Sequence, residues 1–215
     1  LAPGRIWEAE QRRTRVLRRT ISFRELARDN GNMLPELESE RLLLRPRSLG
    51  DIDAIAGMNT DPAVMKHIAA IDDPAMSPEA VAARSFSHVE RGLGYWSVFA
   101  KAKPVEFLGY VGLIPDGDAA EDVQLSYRFT VASWGQGYAR EAAARLLRHG
   151  FEALALSAIA ITTHPLNLAS LRLAERLGFS PAPMDPTILI GYPAVIATRF
   201  RLTRETWRGL NPPAA

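Results

Sequence analysis

Apolar residues along this chain switch between short strand-like runs and helix-like spacings, and the alternation predicts an α/β order. Strand-like runs lie near 41–47, 94–101, 105–114, 121–131 and 158–163, with two more near 187–191 and 195–202. Ser48 and Asp51 open a short helix carrying Ile52, Ile55 and Met58, and Asp61-Pro62 opens another. Ser77-Pro78-Glu79 sets a capping residue before a proline at the first helical position, which predicts a helix to about Arg91. A longer helix runs from Tyr138 to about Ala153, and a last one from Asn167 to Leu177 ends at Gly178. Hairpin connections fall at Lys101–Pro104 and Pro115–Ala120, and no internal repeat stands out.

The junction before the longest helix reads Trp134-Gly135-Gln136-Gly137-Tyr138-Ala139-Arg140-Glu141-Ala142. Glycine lacks a Cβ, so Gly135 and Gly137 let the backbone turn sharply and bring N–H groups close to an anion. The first N–H groups of the following helix are unpaired, and its dipole favours negative charge there, so the turn can cradle a pyrophosphate. An ordinary strand-to-helix loop has the same spacing. Two nucleotide motifs do not fit. A dinucleotide fingerprint needs a third glycine where Arg140 stands, and a P-loop needs Gly-Lys-Ser/Thr, whereas the lysines Lys66, Lys101 and Lys103 all lie elsewhere.

At 215 residues and 47% hydrophobic, the chain buries one full core, so one catalytic domain at 34–205 is expected, with a basic extension at 1–33 and a tail at 206–215. No apolar run reaches the ~18 residues that span a bilayer, and the start lacks a secretory apolar stretch, so a cytoplasmic protein without membrane contact is expected. Without cysteine there is no thiol nucleophile or disulfide, and His67, His88, His149 and His164 show no metal-ligand spacing. The first 32 residues carry +4 of a net charge of +2, leaving −2 for the body. Arg12, Arg13, Arg15, Arg18 and Arg19 allow a nucleic-acid patch, but a solvated arm packing Trp7, Val16, Leu17 and Leu26 on the body or on a partner subunit is favoured.

The glycine loop resembles the acyl-CoA loop of the GNAT superfamily of N-acetyltransferases, whose signature is Gln/Arg-x-x-Gly-x-Gly/Ala. Trp134 replaces the leading Gln/Arg, while Gly137 and Ala139 match. That form is customary in the RimJ/RimL-like branch, which acetylates ribosomal-protein N-termini. Further blocks agree in order: Glu40-Arg41-Leu42-Leu43-Leu44-Arg45-Pro46, Asp61-Pro62-Ala63-Val64, Gly94-Tyr95-Trp96-Ser97-Val98, His164-Pro165-Leu166-Asn167-Leu168-Ala169-Ser170 and Leu177-Gly178-Phe179. The resemblance covers roughly 34–205. It implies a GNAT fold: a mixed, mostly antiparallel sheet of about seven strands, flanked by helices and splayed between the fourth (121–131) and fifth (158–163) predicted strands.

The same resemblance implies acetyl-CoA as cosubstrate and a direct attack of a free amine on the thioester, with no metal. Its pantetheine arm is expected along the backbone from Tyr127 through Phe129 to Val131, and its pyrophosphate on Trp134 to Arg140. Arg140 pairs either with phosphate or with Glu141 or Glu152. Three tasks follow: deprotonating the amine, stabilising the oxyanion and protonating the sulfur. Many relatives protonate the sulfur with a tyrosine where this chain has Ala174; the RimL-like branch implies Ser170 instead, with Asn167 holding pantetheine or water. Helix capping is the alternative for both residues, and the functional role is favoured.

Relatives commonly carry Glu-Leu/Ile-Gly-Tyr on the fourth strand, against Gln124-Leu125-Ser126-Tyr127 here. Glutamine takes no proton at physiological pH, which leaves Glu106, Glu121 and Asp122 as substitutes or as plain surface acids. Tyr95, Trp96 and Tyr127 are candidates to wall an amine tunnel, or are core, and Gln124 and Tyr127 join Ser170 as the candidate catalytic residues. Pro181-Ala182-Pro183-Met184-Asp185-Pro186 is expected as a loop over the cleft or a homodimer contact. The expected acceptor is a protein or peptide α-amine. Alternatives are a small-molecule amine, such as a polyamine, amino acid or aminoglycoside-like compound, and a catalytically weak acyl-CoA-binding protein.

Overall fold

The strand-like runs form one twisted sheet. The computed structural model describes residues 34–116, 123–191 and 193–212; the extension at 1–33, Glu121 and Asp122 lie outside them. The strands are β1 (Leu37–Glu38), β2 (Leu42–Pro46), β3 (Gly94–Ala100), β4 (Lys103–Pro115), β5 (Val123–Phe129), β6 (Ala158–Thr163), β7 (Ser180–Ala182), β8 (Leu189–Ile190), β9 (Val195–Ile196) and β10 (Thr198–Thr203). The α-helices are α1 (Ile52–Asn59), α2 (Pro62–Met65), α3 (Pro78–Ser85), α4 (Tyr138–Glu152), α5 (Leu168–Arg176) and α6 (Arg204–Leu210). Eight strands make the main sheet in the order β1-β2-β3-β4-β5-β6-β10-β7, and β8 with β9 forms a separate ribbon. Among the described residues only β5 and β6 pair in parallel, joined by the α4 crossover.

Each face of the sheet carries its own core. α4 repeats apolar residues at helical spacing, and Ala142, Ala143, Leu146, Leu147 and Phe151 pack with Trp96, Val98, Val111, Leu113 and Leu125. On the opposite face Ile52 and Ile55 of α1 and Val81 and Ala82 of α3 gather with Tyr95 and Tyr110. Each fully buried Leu, Ile or Phe contributes about 1.5–3 kcal/mol over its exposed state.

The splay between the fourth and fifth predicted strands is present. β4 and β5 pair along their whole length, from Gly109 opposite Phe129 to Pro115 opposite Val123. β5 and β6 share one paired position, Gln124 opposite Ala160, and then part, so the edge of β5 from Leu125 to Phe129 faces a widening cleft. At the open end, Gly109 has φ +152°, and an added Cβ would stand 2.3 Å from the Arg128 carbonyl oxygen. A side chain there would push β4 off the end of β5, beside the bulge between Val98 and Phe99.

Several expectations are corrected. The helix opened by Ser77 stops at Ser85, because the Ser85 and Ser87 hydroxyls donate back to the carbonyls of Val81 (2.6 Å) and Ala83 (2.9 Å) and Phe86 leaves helical geometry. β5 ends at Phe129 rather than at 131, since Val131–Ser133 forms a 3-10 turn. The strand expected near 187–191 is confined to the outlying ribbon, and the run near 195–202 breaks at Ala197 into β9 and β10. Pro181 and Ala182, the start of the loop expected at Pro181–Pro186, pair with Ser180 as β7 on β10. Arg204–Leu210, which overlaps the start of the expected tail, forms α6, capped by Thr203, with Trp207 buried and its ring 5.3 Å from that of Phe151.

Candidate active site

The turn between β5 and α4 is held open by conformations that suit glycine: φ is +72° at Gly135 and +79° at Gly137. The first ladder bond of α4 runs from the Glu141 N–H to the Gly137 carbonyl at 3.1 Å, so the N–H groups of Tyr138, Ala139 and Arg140 precede the helical ladder. Trp134, half-exposed, donates its indole N–H to the Phe129 carbonyl at 3.0 Å, and the Gln136 amide donates to the Ala132 carbonyl at 2.8 Å. The loop is thereby tied to the end of β5. Gly135, Gln136, Gly137 and Arg140 are exposed, and a Cβ on Gly135 would meet open space. Donors, dipole and access fit a diphosphate.

A brace absent from the sequence reading completes the loop. Arg41, just before β2, donates from Nη1 to the Gln136 carbonyl at 3.1 Å and from Nε to Glu141 Oε2 at 2.7 Å. Its guanidinium lies 4.9 Å from the centre of the Tyr138 ring. Glu141 Oε1 accepts from the Arg41 N–H (2.7 Å) and the Ser39 hydroxyl (2.6 Å). Partial burial opposes ionisation of Glu141, but these hydrogen bonds hold its carboxyl below the usual range, and Glu141 in turn raises Arg41. Glu141 is thus committed to Arg41, and among the described residues Arg140 has no ion pair. An acid in the first turn of α4 was the available signal; its partner beside a distant strand carried none.

Across the cleft, the Tyr127 hydroxyl on β5 and the Ser170 hydroxyl on α5 lie 2.5 Å apart. Burial pushes the Tyr127 phenol up to about 12, although Ser170 partly offsets this, so the phenol stays protonated at neutral pH. Asn167 caps α5, its side-chain oxygen accepting from the Ser170 N–H at 3.2 Å. Ala174 is fully buried on the same helix. The Phe129 side chain is buried in the core, whereas Val131 lies in the turn with its side chain exposed.

The acceptor candidates separate. Tyr95 lies over Gly112 on the α1–α3 face, stacked edge-on against Tyr110 at 5.5 Å. Trp96, next in sequence, points to the other face. It is 0% exposed, donates its indole N–H to the Pro35 carbonyl at 2.8 Å and contacts His149, so it is core and not a tunnel wall. Gln124 sits at the root of the cleft, where β5 and β6 still pair. Glu106 is exposed and paired with Lys103 at 3.0 Å, and Asp116 pairs with Arg199.

Two arginines that no sequence signal singled out occupy the α1–α3 face. Arg47 is buried, with its guanidinium 4.1 Å from the Tyr95 ring centre and 4.4 Å from that of Tyr110. It donates to the Ser85 hydroxyl at 3.0 Å. Arg128 donates to the side-chain oxygen of Asn59 and stands near Tyr110. Burial alone would raise the Tyr110 phenol, but Arg128, Arg47 and Arg84 hold it below its ordinary value. His67 and His164, scattered in sequence, bring their rings to 4.9 Å, and burial together with His164 lowers His67.

The sequence model of the acetyltransferase (GNAT) domain family matches residues 41–180. The chain is 31% identical over 149 residues to YkkB, an uncharacterized protein of Bacillus subtilis (strain 168), a match covering 68% of this chain and 86% of the relative. It is 27% identical over 194 residues to the FsC-acetyl coenzyme A-N(2)-transacetylase of Aspergillus fumigatus, covering 84% of this chain and 81% of that protein. The fold is similar to that of RimL, a ribosomal-protein alpha-N-acetyltransferase solved in complex with coenzyme A: TM-score 0.65 at 17% identity, over 79% of this chain and 98% of that one. The chain belongs to the GNAT acetyltransferase family and is an N-acetyltransferase, a class that takes its acyl group from acetyl-CoA.

Proposed function

We propose that this enzyme acetylates an α-amino group, most simply that of a peptide or protein N-terminus. The observation that carries the reading is Gln124 at the root of the cleft, where β5 last pairs with β6. A lysine side chain with pKa about 10.4 costs about 4 kcal/mol to deprotonate at pH 7.4, whereas an α-amine near about 7.8 costs about 0.5 kcal/mol. A site whose strand offers an amide in place of a carboxylate therefore serves the α-amine far better than the lysine.

In this reading the N–H groups of Tyr138 to Arg140 and the turn at Gly135 and Gly137 bind the diphosphate of acetyl-CoA. The open edge of β5 from Tyr127 to Phe129 offers backbone groups to the pantetheine amides, and Asn167 fixes the start of α5. As the C–N bond forms and the C–S bond breaks, Ser170 delivers a proton to the departing sulfur, and Tyr127, a neutral phenol hydrogen-bonded to it, supplies the proton behind it. The proton released by the acetylated amine passes through solvent to restore the phenol. The phenol comes from the strand, since the helix carries Ala174 where many relatives have tyrosine.

A small-molecule amine is the second reading, favoured by the relative named for transfer to N(2) of FsC, which matches 84% of this chain. Thiol release from acetyl-CoA, followed with a serine-led peptide, an N-terminally blocked lysine peptide and spermidine, tests the choice. Faster release with the serine-led peptide is expected; preference for spermidine or for the blocked lysine peptide would overturn the α-amine reading.

A further inference from the structure

Among the described residues, the α1–α3 face of the sheet concentrates positive charge with no carboxylate in an ion pair to it. Arg47, Arg84 and Arg128 all act on the buried Tyr110 ring, and among the described residues none of the three has an ion pair. Asp51 influences Arg47 only from a distance, its Oδ2 accepting from both the N–H (2.8 Å) and the hydroxyl (3.0 Å) of Ser48. Arg84 donates to the Ala75 carbonyl. Arg47 is 8% exposed, yet its Nε and Nη2 have no hydrogen-bond partner, and the same holds for Arg128 Nε and Asn59 Nδ2. A guanidinium does not shed its proton, so burial without an acceptor costs free energy that contact with the Tyr95 and Tyr110 rings offsets only in part.

Placement gives this cluster a direction. Arg128 follows Tyr127 on β5, on the stretch that diverges from β6, and its side chain is half-buried rather than sealed. It reaches Asn59 at the end of α1, so it stands between the cleft strand and the helices that cover this face. Buried donors with no acceptor, on and beside the strand that borders the cleft, are suited to an anionic oxygen.

We propose that Arg128, backed by Arg47 and Asn59, is an anion subsite for the acceptor, which is therefore an amine carrying a carboxylate within a few bonds. Building on the acetyl-transfer reading, this narrows the substrate class. The carboxylate comes either from an acidic side chain near a peptide N-terminus or from the α-carboxylate of a free amino acid. Polyamines, which bring only positive charge, are excluded by the same cluster.

The test compares matched acids and amides on the full chain. Thiol release is measured with a Ser-Asp-led peptide against its Ser-Asn counterpart, and with free serine against serinamide. Binding of the corresponding N-acetylated compounds in the presence of CoA is followed by calorimetry, which needs no turnover. One acid is expected to exceed its amide by about tenfold or more in affinity and in kcat/KM counted per unprotonated amine, since amidation of serine by itself lowers its amine pKa; that is the size of a charge-assisted hydrogen bond. The pair that responds identifies the source of the carboxylate. Arg128→Met should bring that ratio to about one, and Arg128→Lys should restore part of it. Equal rates and equal affinities for acid and amide in both pairs overturn the proposal, as does a ratio that Arg128→Met leaves unchanged. If acetyl-CoA binds and no amine is turned over, the acetyl-transfer reading fails by itself, and calorimetry still decides the subsite.

Discussion

Arg41 and Glu141, 100 residues apart in the chain, meet at 2.7 Å directly beneath the glycine turn, and the same guanidinium donates to the Gln136 carbonyl within that turn. One side chain thus fixes the loop through its backbone and the helix through its first-turn acid. Ion pairs as exposed as this one add little to stability, so its contribution lies in geometry: it holds the Gly135–Gly137 turn against the N-terminus of α4.

Arg41→Ala should therefore raise KM for acetyl-CoA about five- to tenfold, the equivalent of one lost hydrogen bond of ordinary strength, while moving kcat little. Steady-state kinetics at saturating acceptor measures the split. A fall in kcat with KM unchanged would mean that Arg41 acts elsewhere.

The Glu141 carboxyl, held below its ordinary value, gives a pH signature. A depressed carboxyl contributes stability that is present above its unfolded value and lost as pH falls through its folded one. Glu141→Gln should lower the melting temperature at pH 7 and make the loss between pH 5 and 3 shallower than in the parent, as read by thermal melts across that range.

Tyr127 moves the other way. Its phenol, raised to about 12, favours the protonated folded state, so the stability it contributes is intact below pH 10 and declines as pH rises toward 12. Tyr127→Phe should flatten that decline. In kinetics, Tyr127→Phe and Ser170→Ala should each lower kcat about tenfold to a hundredfold. The double variant should be little worse than the poorer single one, as expected for two groups passing one proton. Additive losses would show that they act separately.

Trp96→Phe keeps the ring but removes the indole donor to Pro35. It should cost about 1–3 kcal/mol in denaturant unfolding, the range for a buried hydrogen bond left half-made and a partial cavity. Acceptor KM should not change; a changed acceptor preference would return Trp96 to the substrate path.

The contrast between Tyr95 and Trp96 shows where the sequence stops speaking. Alternation places neighbouring side chains on opposite faces, but it does not say which face meets α4 and which meets α1 and α3. The glycine turn was legible because its chemistry is local: two positive-φ residues and a helix start lie within a few positions. The Tyr127–Ser170 contact spans 43 residues, and the Arg41–Glu141 brace spans more than twice that. Neither distance leaves a trace in spacing. Arg47 and Arg128 were passed over because arginine is ordinarily a surface residue; only their contact with Tyr95, Tyr110 and Asn59 marks them as unusual.

The position of β10 bears on how the protein is made. It is synthesised after β6 and β7 yet lies between them, pairing with Thr163 to Ala158 on one side and Ala182 to Ser180 on the other. A nascent chain that has emerged only as far as residue 190 carries β6 with a bare outer edge and β7 with no sheet to join. Such an edge is a template for another strand, from a sister polypeptide on the same message as readily as from the chain's own late segment. Six residues, Thr198–Thr203, thus set the moment at which the protein stops being vulnerable to its neighbours on the ribosome.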